Sequence, residues 1–176
     1  AARTMTDHRS HAQVTFDGVA AEKIEGGGDD LTDQVLDRAR AIACAEMLGM
    51  AVQAFETTLD YLKQRVQFGQ VLASFQALQH RMANMFAEIE LMRSSVEGAL
   101  QAIDSGMGVA QAVSTAKATA NDTLNLVSRE MIQLHGGIGM TDEHDAGFYI
   151  KRARILENQW GNASFHRERF AKLSGY

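Results

Sequence analysis

Not one proline occurs in the 176 residues, and over three long stretches apolar side chains return every three or four positions. Globular chains average about 5% proline. Inside a helix it removes an amide donor and crowds the preceding turn. A chain without it that also keeps the helical period must fold into long, unbroken helices. The first stretch runs from Thr32 to Gln64, with apolar residues at Val35, Ala39, Ile42, Ala43, Met47, Met50, Ala54 and Leu62. Thr32 or Asp30 can cap its start, its length is roughly 50 Å at 1.5 Å per residue, and Phe68-Gly69 ends it. The second, Ser74 to Ile103, steps through Leu78, Met82, Met85, Ile89, Met92, Val96, Leu100 and Ile103. After the turn Asp104-Ser105-Gly106-Met107-Gly108, the third shows Val109, Val113, Ala116, Ala120, Leu124, Val127, Met131 and Leu134. A fourth is expected over His144 to Gln159, with a further helical turn or two after Asn162. Short turns between long helices make neighbours antiparallel. The expected fold is therefore all-α, an up-and-down four-helix bundle with methionines as core filler.

The N-terminal part has a different character. Residues 1–11 are polar and unpatterned, which reads as a flexible end. His11 to Val19 alternates, with Val14 and Phe16 on one face, and then reaches Asp17-Gly18, so a short strand and turn are expected. Gly26-Gly27-Gly28 makes a joint, dividing the chain into 1–28 and a helical domain over 29–176.

Composition narrows the function classes. A net charge of −5 with no basic run argues against nucleic acid and against an anionic membrane surface. The apolar stretch nearest to a membrane span, Ala41 to Val52, is broken by Glu46 and falls short of about 20 residues. The single Cys44 has no internal disulfide partner, which fits a reducing, cytoplasmic setting. No signal peptide is visible, and the opening Ala1-Ala2-Arg3 without an initiator Met suggests a processed or truncated piece. No metal site is expected. The six histidines are scattered, and His80, sharing a helix face with Gln76, is a lone imidazole. No nucleophile elbow is present.

Two motifs carry chemistry. Gln133-Leu134-His135-Gly136-Gly137-Ile138-Gly139-Met140-Thr141 places three glycines in four residues. This is a helix stop, or a place where a ligand reaches bare backbone amides. Tyr61-Leu62-Lys63-Gln64-Arg65-Val66-Gln67-Phe68-Gly69-Gln70, followed by Phe75-Gln76, places a cation beside an aromatic ring. Arg65 is either a solvated arginine at the negative end of a helix or a pyrophosphate ligand with a ring alongside. Asp37 and Arg40, three residues apart, form either a surface ion pair or part of a site.

Both motifs resemble the two C-terminal signatures of the acyl-CoA dehydrogenase family, in the family's order and at about its spacing. The resemblance extends over residues 12–176 and is strongest at 61–76 and 133–161. It implies the C-terminal helical domain of an FAD-dependent acyl-CoA dehydrogenase-like protein. Val14-Thr15-Phe16-Asp17-Gly18-Val19 would be the last strand of a preceding β-domain, although Ala20 or Ala21 stands where the family has a proline. By that resemblance Arg65, Gln67, Phe68, Gln76, Gln133, Gly136 and Gly137 contact FAD, usually one held mainly by an adjacent subunit. Asp37 and Arg40 lie near the CoA substrate. The family removes an α-proton from an acyl-CoA with a glutamate. Here that position is Trp160, before Gly161, and the alternative position on the first helix is Ala39. Glu157, one turn earlier, is the remaining carboxylate, and Lys151-Arg152 replaces the family's Arg-Asp. The family assembles as dimers or tetramers, some of them heteromers in which one subunit lacks the glutamate. The resemblance therefore leaves open a base-lacking subunit or a flavin monooxygenase on the same fold. A non-enzymatic oligomerisation module is the reading from another class.

Overall fold

The computed structural model describes residues 1–176, the side chain of Asp29 apart. Its elements are β1 (Ala2–Thr4), β2 (Ser10–Ala12), α1 (Asp29–Gln64), β3 (Val66–Gln67), β4 (Gln70–Val71), α2 (Gln76–Ser105), α3 (Val109–His135), α4 (Ala146–Asn158) and α5 (Ala163–Leu173). Short 3-10 turns cover Leu72–Ser74 and Gly136–Met140. The long helices end within about three residues of where the apolar period ends, and the mostly helical bundle agrees with the expected all-α fold.

The bundle is organised around α3, which packs against α1, α2, α4 and α5. Its periodic residues Val113, Ala116, Ala120, Leu124, Val127 and Met131 are buried, and so are Ser114, Lys117, Asn121, Thr123 and Ser128 between them. A helix surrounded on several sides buries its polar stripe as well as its apolar one. Met47, Met85, Met92 and Met131 are fully enclosed, as filler residues would be.

Several expectations change. The strand over His11–Val19 is not formed: only His11 and Ala12 are extended in a ladder, while Val14, Phe16 and Val19 stand exposed. The segment 1–11, expected to be a flexible end, instead supplies the partner strand. β1 and β2 pair antiparallel, Ala2 opposite Ala12, and the N-terminal amine donates to the Gln13 carbonyl at 2.6 Å. An alternating run without a partner has nothing to bond its backbone, whereas a hairpin satisfies both of its own strands. Asp7, in the hairpin turn, meets Arg152 Nη1 at 2.8 Å, and Arg152 also grips Glu46 through Nε and Nη2 at 2.8 and 2.9 Å. The guanidinium of Arg152 holds the Glu46 carboxyl below its usual range.

Helix α1 starts three residues before Thr32. Gly28 is its N-cap without a side-chain bond, and the Thr32 hydroxyl donates to the Gly28 carbonyl instead of capping. On α1, Val35 and Ile42 are 58% and 69% exposed rather than core, and Leu100 on α2 is 40% exposed. The buried seam of α1 runs through Asp37, Arg40, Ala41 and Cys44, a line that hydropathy alone does not mark. After Asn162 there is a complete eleven-residue helix, not a turn or two. The Asn162 side chain caps it by accepting from the Phe165 amide, and it packs on α3. No helix among the described residues is long and apolar enough to cross a membrane.

Candidate functional site

The C-terminal ends of α1 and α3 lie side by side and enclose, with the β3–β4 hairpin, a depression of about 330 Å³. Arg65, Gln67, Phe68, Gln133, Gly136 and Gly137 all line it, with Tyr61 and His135 beside them. Residues from two motifs nearly seventy positions apart thus share one surface. Gln76 does not line the depression: it is exposed at the start of α2.

Local chemistry explains the shape. Phe68 and Gly69 both have positive φ (54° and 80°), as a two-residue hairpin turn requires. Phe68 is 88% exposed, with its ring edge-on to Phe75. Gly139 is needed for close approach, since a Cβ there would stand 2.9 Å from the Ile132 carbonyl oxygen and 3.0 Å from His135 Cβ. A Cβ at Gly136 or Gly137 would meet nothing within 4 Å, so there is open space beside both, while the Gly136 N–H is bonded to the Gln133 carbonyl. Arg65 pairs with no carboxylate among the described residues. Arg81, on the same rim, is committed to Glu130 at 2.6 Å. The depression therefore offers one uncommitted guanidinium, room beside two glycines and an exposed ring, a fit for an anion joined to an aromatic group.

Two residues of this site go unmarked by sequence reasoning. His135 is 3% exposed and stacks between Tyr61 and His144, at 4.4 and 4.2 Å between ring centres. Its Nδ1–H donates to the Met131 carbonyl at 2.7 Å, and burial pushes its pKa down, so the ring is neutral. The Tyr61 hydroxyl donates to the His135 carbonyl at 3.3 Å. An aromatic four residues before Arg65 was the available signal.

The second candidate pair lies near the other end of α1. Asp37 and Arg40 are not a surface pair: they are 4% and 5% exposed and bond at 2.8 Å. Arg169, from α5, closes on the same carboxylate with both terminal nitrogens at 2.8 Å. Asp37 and Arg169 border a depression of about 550 Å³, together with Asp33, Gln34 and Arg38. Twenty-five residues separate Arg40 from Arg65 along one helix, about 37 Å at 1.5 Å per residue. The two sites cannot meet at one reacting atom within this chain.

Trp160 sits in the elbow between α4 and α5 with φ +58° and its side chain partly exposed. Arg40 Nε donates to its carbonyl at 3.1 Å. Glu157 is elsewhere. It borders a different groove with Asp122, Asn125 and Arg129, where it accepts from Arg154 Nη1 at 3.0 Å and Asn125 Nδ2 at 3.4 Å. Among the described residues no group of three or more His, Cys, Asp or Glu gathers into a metal-binding set.

Residues 26–174 match the family described as acyl-CoA dehydrogenase, C-terminal domain. Acyl-CoA dehydrogenase IpdE2 of Mycobacterium tuberculosis is 40% identical over 119 residues, covering 68% of this chain and 36% of that protein. The solved structure of the Tcur3481-Tcur3483 steroid ACAD G363A variant superposes with a TM-score of 0.92 at 32% identity, over 99% of this chain and 47% of that one. The ChsE4-ChsE5 complex from Mycobacterium tuberculosis shares the fold, with a TM-score of 0.93 at 22% identity over 100% of this chain and 49% of that one. The chain spans a little over a third of the curated relative and about half of these structures.

Proposed function

The chain belongs to the acyl-CoA dehydrogenase family as its C-terminal helical domain, and on that premise we propose that it serves an FAD-dependent α,β-dehydrogenation of acyl-CoA thioesters, supplying FAD contacts and an assembly surface. Residues 1–28 are then the tail of a β-domain and its glycine linker, and 29–176 the helical domain. The observation that supports this is the convergence of Arg65, Gln67, Phe68, Gln133, Gly136 and Gly137 on one depression with Arg65 uncommitted. Arg65 binds the pyrophosphate by charge-assisted hydrogen bonds. Gly136 and Gly137, bare of side chains, leave room for its approach, and Phe68 would lie against a ring. Gln76, at the head of α2, touches the same cofactor from outside the depression. The chemistry that FAD would supply there is acceptance of a hydride. Asp37 and Arg40 take the CoA-proximal side at the far end of α1. The lone, buried Cys44 suits a cytoplasmic setting.

Arg65→Ala in the complete protein lowers FAD affinity about ten- to a hundredfold, the worth of a charged hydrogen bond of about 1.5–3 kcal/mol. Flavin content after dialysis measures it. Unchanged occupancy makes Arg65 a helix-end arginine and removes the support for cofactor binding here. Stoichiometric flavin in the complete protein rejects a purely structural oligomerisation module. Anaerobic bleaching by an acyl-CoA favours a dehydrogenase over a flavin monooxygenase.

A second reading, a base-lacking subunit of a heteromer rather than a homodimer or homotetramer, rests on the surroundings of residues 157 and 160. An indole takes up no proton at neutral pH, and Glu157 is tied to Arg154 and Asn125 on another groove. Glu157 stands in the last turn of α4, whereas Trp160 lies beyond the end of that helix with left-handed backbone, so the two positions share no helical register. Two of the similar structures pair differently named proteins and overlay essentially this whole chain. Glu157→Gln therefore leaves flavin reduction by acyl-CoA nearly unchanged. A loss of about 10² or more, the worth of a positioned base, would make Glu157 the base and end this reading.

A further inference from the structure

From Thr115 onward α3 keeps one face uncovered. Thr115, Thr119, Asp122, Leu126, Arg129 and Gln133 follow one another at steps of four, three, four, three and four residues, and each is exposed or half-buried. That is the seam spacing of two packed helices, here without the second helix. On one flank Thr123 and Glu130 bond to α2, through the Glu88 carbonyl and Arg81. On the other Asn125 accepts its neighbour from α4 by donating to Glu157, and α5 follows behind. The seam is thus the floor of a trough. Thr115 and Thr119 border depressions beside α5 and beside α2, Leu126 and Arg129 a third beside Glu157, and Gln133 the one with Arg65. Leu91 on one rim and Phe170 on the other are 61% and 41% exposed. From Thr115 to Gln133 the trough is about 27 Å long at 1.5 Å per residue. A standard interface takes about 800 Å² from each partner, a patch about 28 Å across.

We propose that the trough holds α3 of a second copy of this chain, antiparallel and related by a two-fold axis at Leu126. Charge and spacing both select that occupant. The seam carries one acid, Asp122, and one base, Arg129, on opposite sides of Leu126. Arg129 pairs with no carboxylate among the described residues. Asp122 meets Arg167, in a pair more than half exposed on both sides. Glu130, beside the seam, is taken up by Arg81. A two-fold interface sets residue i on j and j on i. From Leu126, Asp122 lies about 6 Å along the axis in one direction and Arg129 about 4.5 Å in the other. Each Asp122 therefore comes level with Arg129 of the second copy to within about 1.5 Å, and two ion pairs form. Thr119 and Gln133, each seven residues from Leu126, fall opposite one another. A parallel pair would instead set Asp122 on Asp122 and Arg129 on Arg129, where like charges oppose docking.

The pairing bears on the cofactor site. Gln133 borders the depression with Arg65, and Thr119 the one beside His166 and Phe170 of α5. Opposed, they bring α5 of one copy beside the Arg65 depression of the other. That consequence rests on the reading above, whereas the pairing itself needs no flavin.

Sedimentation of the 176-residue chain without flavin, at micromolar concentration and low salt, gives a dimer that weakens as salt rises. Arg129→Glu and Asp122→Arg each raise the dissociation constant at least about tenfold, since both cross-pairs become like-charged. An equimolar mixture of the two variants recovers the parent's affinity, because one seam is then acidic and the other basic. Circular dichroism checks that both fold, as exposed positions allow. Arg129→Glu loses no partner within its own chain, so it decides alone if Asp122→Arg does not fold. A strict monomer at high micromolar concentration overturns the proposal, whether or not a non-identical subunit binds there. So do variants that pair as the parent does, which place the contact elsewhere, and a mixture that stays dissociated. Flavin retention by Arg65→Ala ends the cofactor reading and leaves the pairing standing, while a monomer ends the pairing and leaves the cofactor reading standing.

Discussion

Asp37→Asn lowers the thermal midpoint of this chain by about 6–20 °C. The Asp37 carboxylate is the counter-ion of Arg40 and Arg169, whose side chains are only 6% and 16% exposed. Removing one partner of a buried ion pair costs about 3–5 kcal/mol, because the remaining charge stays desolvated without compensation. For a chain of this size each kcal/mol moves the midpoint by about 2–4 °C. An amide in the same place keeps the shape and one acceptor, so the loss reports charge rather than volume. Glu168→Gln is the control: its pair with Lys172 is more than half exposed on both sides, and exposed pairs contribute little. Melting curves followed by circular dichroism at pH 7 make the comparison. A shift of less than about 2 °C would mean that the Trp160 carbonyl for Arg40, and Ser114 with the Ala110 carbonyl for Arg169, suffice for these guanidiniums.

Gly161→Ala is the other large effect, a loss of at least about 3 kcal/mol. At φ +116° an L side chain is strained, typically by about 1–3 kcal/mol. The added Cβ would also overlap the Phe165 ring and stand 2.7 Å from His166 Nε2, the atom that donates to the Trp160 carbonyl. His166 is fully buried, and Phe165, although 45% exposed, has its ring edge-on against it. Gly98→Ala, in the exposed middle of α2 with nothing within 4 Å of its new Cβ, goes the opposite way and stabilises by about 0.5–1 kcal/mol. Denaturant midpoints of the two variants, compared with the parent, decide the matter. Equal stability of Gly161→Ala and the parent would mean that the elbow relaxes freely and that its left-handed geometry is not enforced.

Much of the first candidate site is legible in the order of residues alone. Arg65, Gln67 and Phe68 close one long periodic run, and Gln133, Gly136 and Gly137 close another. When two long neighbouring helices end at the same level, the segments that follow them meet. Gln76 falls outside the depression because a two-residue hairpin and a 3-10 turn carry the chain away before α2 begins. His135 is hidden by its own motif, where it reads as a polar residue before glycines and gives no hint of a stack between Tyr61 and His144.

The second site shows where local reading stops. Asp37 and Arg40 are visible as an i, i+3 pair, yet their burial depends on Arg169, 132 positions from Asp37, and on the Trp160 carbonyl, 120 positions from Arg40. Lys117 looks like any solvated lysine on an amphipathic helix until α4 and α5 close over it.

By itself the sequence determined, to within about three residues, where the three long helices run and stop, because a helix is built from contacts three and four residues apart, and a proline-free chain with that period leaves no competing local structure. It determined the two motifs and the chemistry their residues carry. Only the tertiary structure decided which charges are enclosed and what they hold. Burial of a polar side chain is a property of everything packed around it, and around α3 that means four other helices drawn from the whole length of the chain.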